Sequence, residues 1–240
     1  MIGNIYPSFP MRDCTYTDAV ICVDAGAGMR GEMDGIKAEI LAFPARYATE
    51  VDDNTLSPLE QFRVKLIVFG EGNAEGLMRE SEVFSLPEQC GEFKAFVNGI
   101  EAGVTNSTAA DALNAVLRAR MFDWTDTFKA GVRGRQIIML FTNSGMHSAD
   151  GSAEADKSFA DISGLIEGVG DLLSHNGSGN DHFNRRQLRF AIFAPQIFPW
   201  TKIESTVANV FLSPLQKEQR DEYYGNDGIE AIILFMVHAI

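Results

Sequence analysis

The chain has 240 residues, 45% of them hydrophobic and 22% charged, enough for one α/β unit with a sizeable buried core. A net charge of -13 and a pI near 4.7 oppose non-specific binding to nucleic acid or to an anionic membrane, so neither is an expected partner. The longest apolar run, Ala231 to Val237, is too short to span a bilayer.

Three cysteines, Cys14, Cys22 and Cys90, are odd in number and share no CxxC spacing, which suits a reducing compartment. The first residues, MIGNIYPSFPMRD, carry no basic flank or apolar stretch like a signal peptide. The expectation is a cytoplasmic protein with a single domain over residues 1–240, of which residues 1–17, with Pro7 and Pro10, are an irregular lead-in.

Ala19 to Val23 is a short apolar run ending on a carboxylate, Asp24, and followed by glycines. That pattern predicts a strand buried on both faces. Met33, Ile36, Ile40 and Leu41 then recur at helical spacing, with Pro44 kinking or ending the helix. Asp52 to Pro58 reads as a polar turn. Phe62 to Phe69 is the next strand, stopped by Gly70-Glu71-Gly72-Asn73, and Glu82 to Leu86 is a short edge strand before Pro87. Phe93 to Ile100 suggests a short helix.

Thr108 with Asp111 three residues later is a capping-box signal, and Ala109, Leu113, Val116 and Leu117 form one apolar face behind it. Arg135 to Phe141 is a strongly apolar strand closed by Thr142-Asn143-Ser144-Gly145. Phe159, Ile162, Ile166, Val169 and Leu173 predict a long helix over 154–174, and His175 to Asp181 a loop. Gln187 to Ala194 is a strand. A short helix over Thr201 to Ala208 leads to a last strand, Asn209 to Leu212, and Gly228 to Ile240, apolar all round, reads as a buried closing helix with a strand as the alternative. Alternating strands and helices imply a doubly wound, mostly parallel sheet with helices on both faces, and the three most apolar strands, at Asp18, Phe62 and Arg135, should lie in its interior with the first of them central.

Loops after strands lie at the carboxyl edge of such a sheet, where ligands are met. Three segments bring small oxygen-bearing residues there: Asp24-Ala25-Gly26-Ala27-Gly28, Gly103-Val104-Thr105-Asn106-Ser107 and Thr142-Asn143-Ser144-Gly145. In order and spacing, VICVDAGAGM, GVTNSTAADALNAVL and IIMLFTNSG resemble the three loops of the von Willebrand factor type A domain. That family builds a metal-ion-dependent adhesion site from a D-x-S-x-S loop, a threonine before a later helix and an aspartate after the central strand. The resemblance implies a Rossmann-like three-layer sandwich that binds a protein partner at this edge. The acidic composition is closer to bacterial intracellular members resembling the tellurite-resistance protein TerY, which implies an interaction or scaffolding role in stress response or signalling.

Carried over by position, the resemblance implies metal ligands at Asp24, Thr105 and Asn143. Gly26 and Gly28 stand where the family has serines, and Asn143 where it has aspartate. Magnesium prefers octahedral oxygen ligation with one or two carboxylates. The expectation is therefore a degenerate site that holds magnesium weakly or not at all, requires no other cofactor, and docks its partner through Asp24, Gly26, Gly28, Thr105, Asn106, Asn143 and Ser144.

The same glycines support a rival reading. Gly26-x-Gly28-x-x-Gly31 after a strand fits the dinucleotide fingerprint of a nucleotide-binding Rossmann-type enzyme, with Glu50 or Asp52 as the ribose acid. The segment before those acids makes a poor second strand, and Asp24 would set a carboxylate near the phosphates. No G-x-S-x-G elbow, Walker loop or histidine metal spacing occurs, and no nucleophile–base pair can be assembled in these loops. The expectation is that the protein is not an enzyme.

Overall fold

The computed structural model describes residues 13–55, 57–71, 78–104, 106–144, 153–174, 182–216, 219, 220, 222 and 228–237. Thr105, the loop expected over His175 to Asp181 and most of the expected lead-in lie outside the described residues.

Among the described residues seven strands form one sheet: β1 (Thr15–Asp24), β2 (Leu59–Phe69), β3 (Met78–Glu80), β4 (Phe84–Leu86), β5 (Arg133–Phe141), β6 (Leu188–Phe193) and β7 (Val210–Ser213). The order is β3-β2-β1-β5-β6-β7, with β4 also pairing β2. The β1–β2, β1–β5, β5–β6 and β6–β7 pairs are parallel, and β3 and β4 run antiparallel to β2. The three most apolar strands are interior, as their sequences require. From β1 the chain adds β2 on one side and later β5 on the other, so the winding reverses at β1. The crevice between the carboxyl ends of β1 and β5 is the switch point of the sheet, where open α/β folds place ligands.

The helices are α1 (Met33–Asn54), α2 (Cys90–Asn98), α3 (Ala109–Arg120), α4 (Thr127–Ala130), α5 (Ala153–Ser174), α6 (Trp200–Thr206) and α7 (Gly228–Val237). The unbroken apolar run of β1 has a direct cause. Ala19, Ile21 and Val23 face one core with Ile40, Phe43 and Tyr47 of α1 and Ile233 and Met236 of α7. Val20 and Cys22 face the other, with Leu113 and Val116 of α3 and Val169 of α5. Side chains alternate across a strand, so a strand covered on both sides is apolar at every position.

Several boundaries differ from expectation. The lead-in ends early, because β1 begins at Thr15, whose N–H bonds to the Pro58 carbonyl at 2.8 Å. Pro44 does not end its helix: α1 continues to Asn54, taking in Asp52 and Asp53. Proline removes one backbone bond, but Ile40 and Phe43 before it and Tyr47 and Val51 after it are all buried and hold both halves on the sheet. Strand β3 and the one-turn α4 carried too few residues for periodicity to register. Asp18, a charge inside β1, accepts two bonds of 2.8 Å from Arg63 and one of 2.6 Å from the Thr125 N–H, which fastens the segment before β5 to the sheet.

Candidate functional site

Asp24 is the last residue of β1 and fully buried. Its Oδ1 accepts the Gly26 N–H at 2.8 Å, and its Oδ2 accepts the Thr142 hydroxyl at 2.8 Å. The single Thr142 hydrogen goes to Asp24, so Ser144 Oγ, 2.6 Å from Thr142 Oγ1, is the donor in that contact. The Ser144 N–H bonds the same oxygen at 3.0 Å, and the Ser144 carbonyl accepts the indole N–H of Trp200 at 2.8 Å. A continuous chain of hydrogen bonds thus runs from α6 through the third loop to the end of β1.

The second loop enters at Ser107, just before the observed Thr108–Asp111 capping box of α3. A Cβ on Gly26 would lie 2.7 Å from both the N and Oγ of Ser107, and one on Gly70 would lie 2.0 Å from that Oγ. Gly70 has φ 75°, a conformation that favours glycine. Ser107 Oγ is buried beside the Asp24 carboxylate, without a well-formed bond to it or to any other described residue. Burial pushes the Asp24 carboxyl above the ordinary carboxylate range. The groups at Ser107, Gly26 and Thr142 reduce that effect, and the Asp111 charge adds to it.

Asn143 donates its side-chain N–H to the Gly28 carbonyl. A Cβ on Gly28 would come within 2.6 Å of Asn143 Nδ2 and 3.3 Å of Asn106 Oδ1, so both carboxamides reach the space above this glycine. The Gly103 N–H bonds to the Ala25 carbonyl at 2.6 Å and Arg30 to the Gly103 carbonyl at 3.1 Å, joining the first loop to the second. Beside them opens a cavity of about 420 Å³ lined by Glu71, Arg79, Glu101 and Val104 among others. Val104 is 66% exposed.

Asp24, Gly26, Gly28, Asn106, Asn143 and Ser144 are therefore brought together at the carboxyl edge. Reading the loops residue by residue missed four contributors. Thr142 and Ser107 were visible as polar neighbours of the chosen positions, Gly70 as a glycine closing a strand. Trp200 carried no signal, because its partner lies 56 residues away.

The dinucleotide reading is not favoured by this geometry. Ala27–Met29 form a 3-10 turn and α1 starts only at Met33, so the helix that follows the glycines does not begin on them as the fingerprint requires. The Gly26 N–H already serves Asp24. Glu50 and Asp52 lie within α1 rather than after a second strand.

The magnesium site implied by the family is a poor match to the described residues. Asp24 is the one carboxylate at the centre, and each of its oxygens already takes a protein donor. Asn143 turns a nitrogen toward Gly28, and the spaces where serine side chains at 26 and 28 would lie are filled by Ser107 and Asn143. Among the described residues no group of three or more His, Cys, Asp or Glu side chains is arranged to hold a metal.

No family model and no curated protein matches the chain. Among solved structures, the pilus adhesin SpaC from Lactobacillus rhamnosus GG covers 95% of this chain at 11% identity with a TM-score of 0.52. The PilB minor pilin from Streptococcus sanguinis covers 94% at 7% identity with a TM-score of 0.53. These likenesses show the fold. It is the α/β three-layer sandwich. A von Willebrand factor type A protein from Catenulispora acidiphila is a looser likeness, covering 92% of this chain at 11% identity with a TM-score of 0.43. The chain spans 31%, 63% and 43% of the SpaC, PilB and Catenulispora chains.

Proposed function

We propose that this protein is a non-enzymatic interaction module that binds a protein partner at the carboxyl edge of its sheet, without a metal. The observation that carries the reading is the convergence of the three loops at the β1–β5 switch point, with Val104 and Asn106 exposed on the rim. Adhesin and pilin proteins with the same fold support an interaction role. The protein donor already held by each Asp24 oxygen supports docking by shape and hydrogen bonding rather than through a shared cation. Cytoplasmic placement and a TerY-like role in stress response or signalling belong to the same proposal. Three cysteines outside any disulfide and the acidic charge support them, and no described helix is long and apolar enough to cross a membrane.

A photo-crosslinking residue at Val104, compared with one at Phe128, tests this reading. Phe128 is 95% exposed and precedes β5, at the opposite edge. The reading expects a discrete protein adduct, identified by mass spectrometry, from position 104 and none from position 128. Equal labelling at both edges would overturn it.

A further inference from the structure

Asn106 and Asn143 give this edge a chemistry unlike that of a cation site. Asn106 is exposed and bonded to nothing among the described residues, and its Oδ1 lies over Gly28 beside Asn143 Nδ2. Asn143 spends one hydrogen on the Gly28 carbonyl, which fixes its plane and leaves a second N–H and its Oδ1. Two neutral carboxamides therefore stand together above a backbone that glycine keeps low. Each offers at least one donor and an acceptor. A carboxylate offers only acceptors, and here it would also meet the fields of Asp24 and Asp111 without a cation between.

Donor and acceptor side by side are what an extended peptide presents, because the N–H and C=O of one residue point to the same side of a strand. A carboxamide matches that pair. The adjoining 420 Å³ cavity, with exposed Val104 on its wall, has room for a neighbouring side chain.

We propose that Asn106 and Asn143 grip the main-chain N–H and C=O groups of an extended segment of the partner, laid across Gly28. The inference rests on the proposed interaction reading and names the chemistry by which it works.

The test is an NMR titration of the ¹⁵N-labelled protein, following the side-chain NH₂ signals of Asn106 and Asn143 and the Gly28 N–H. The probes are N-acetylalanine methylamide, acetate with and without magnesium, and methyl glucoside. The expected result is saturable shifts of all three signals with the alanine amide alone, with binding about tenfold weaker in Asn106→Ala, a loss on the scale of one or two hydrogen bonds. Asn106 supports no other described group, so that variant keeps the fold. Larger shifts with acetate or with the glucoside would overturn the peptide assignment while leaving the edge as a binding surface. Silence of every edge signal to all probes would overturn the peptide assignment and count against the interaction reading as well.

Discussion

The Thr142 hydroxyl donates to Asp24 Oδ2 at 2.8 Å across 118 residues of sequence, joining the carboxyl ends of β5 and β1. A Thr142→Val substitution keeps the shape and removes the hydroxyl, leaving Asp24 and Ser144 each short of a partner. The expected loss is about 1–3 kcal/mol, the cost of an unsatisfied buried polar group, read from urea unfolding. Thr142→Ser should recover most of it. Equal stability of Thr142→Val and wild type would show that the bond contributes nothing.

Asp24 also makes stability depend on pH. Its folded-state pKa is raised above the unfolded value of about 3.9. The native state therefore holds the proton more tightly, and the stabilisation is full below the unfolded pKa and lost as pH rises through the folded one. In Asp24→Asn the amide can accept from Gly26 and donate to Thr142, whose hydroxyl can turn toward Ser144. Wild type should accordingly lose stability relative to Asp24→Asn as pH climbs from about 3.9, with the difference level above the folded pKa. Parallel stability–pH curves for the two proteins would show that burial of the Asp24 charge has no such effect.

The glycines should not accept the serines of the family they resemble. At Gly70 a side chain meets both a positive φ and the Ser107 hydroxyl; at Gly26 it meets the Ser107 backbone; at Gly28 it meets only side-chain ends, those of Asn143 and Asn106. Overpacking against backbone costs roughly 1–3 kcal/mol, whereas turning one side chain costs about 1 kcal/mol. The melting temperature should therefore fall most for Gly70→Ala, less for Gly26→Ala and least for Gly28→Ala. A reversed order would contradict the packing described.

Magnesium at millimolar concentration, compared with chelator, should leave the melting temperature unchanged, because a ligand stabilises a fold only by binding it. Asn143→Asp should remain unresponsive, since Ser107 still fills the space where a side-chain ligand at position 26 would lie. A clear magnesium-dependent rise in wild type would restore a working adhesion site.

Trp200→Phe keeps an aromatic ring in the core but deletes the donor to Ser144 together with part of the buried ring system. The third loop should loosen, with faster amide exchange at Asn143 and Ser144 and a loss of about 1–3 kcal/mol. Exchange rates equal to those of wild type would separate α6 from the edge.

Local pattern carried the architecture. Ala19 to Val23 reads as a doubly buried strand because a strand covered on both faces is apolar at every position, Phe62 to Phe69 and Arg135 to Phe141 read as interior strands from their apolar stretches, and the Thr108 cap lies within three residues of its partner. Pro44 misled because the cost of one lost backbone bond is local, whereas the burial that offsets it comes from distant strands. The place of the edge was legible too, since Asp24 and Asn143 each follow such a strand. Only the tertiary structure decided what that edge is made of. Thr142 reaches Asp24, Trp200 reaches Ser144, and Ser107 fills the space above Gly26 and Gly70 through contacts between residues far apart in the chain. Whether a glycine marks a missing ligand or makes room for a neighbour depends on which atoms arrive there, and no spacing along the sequence records that.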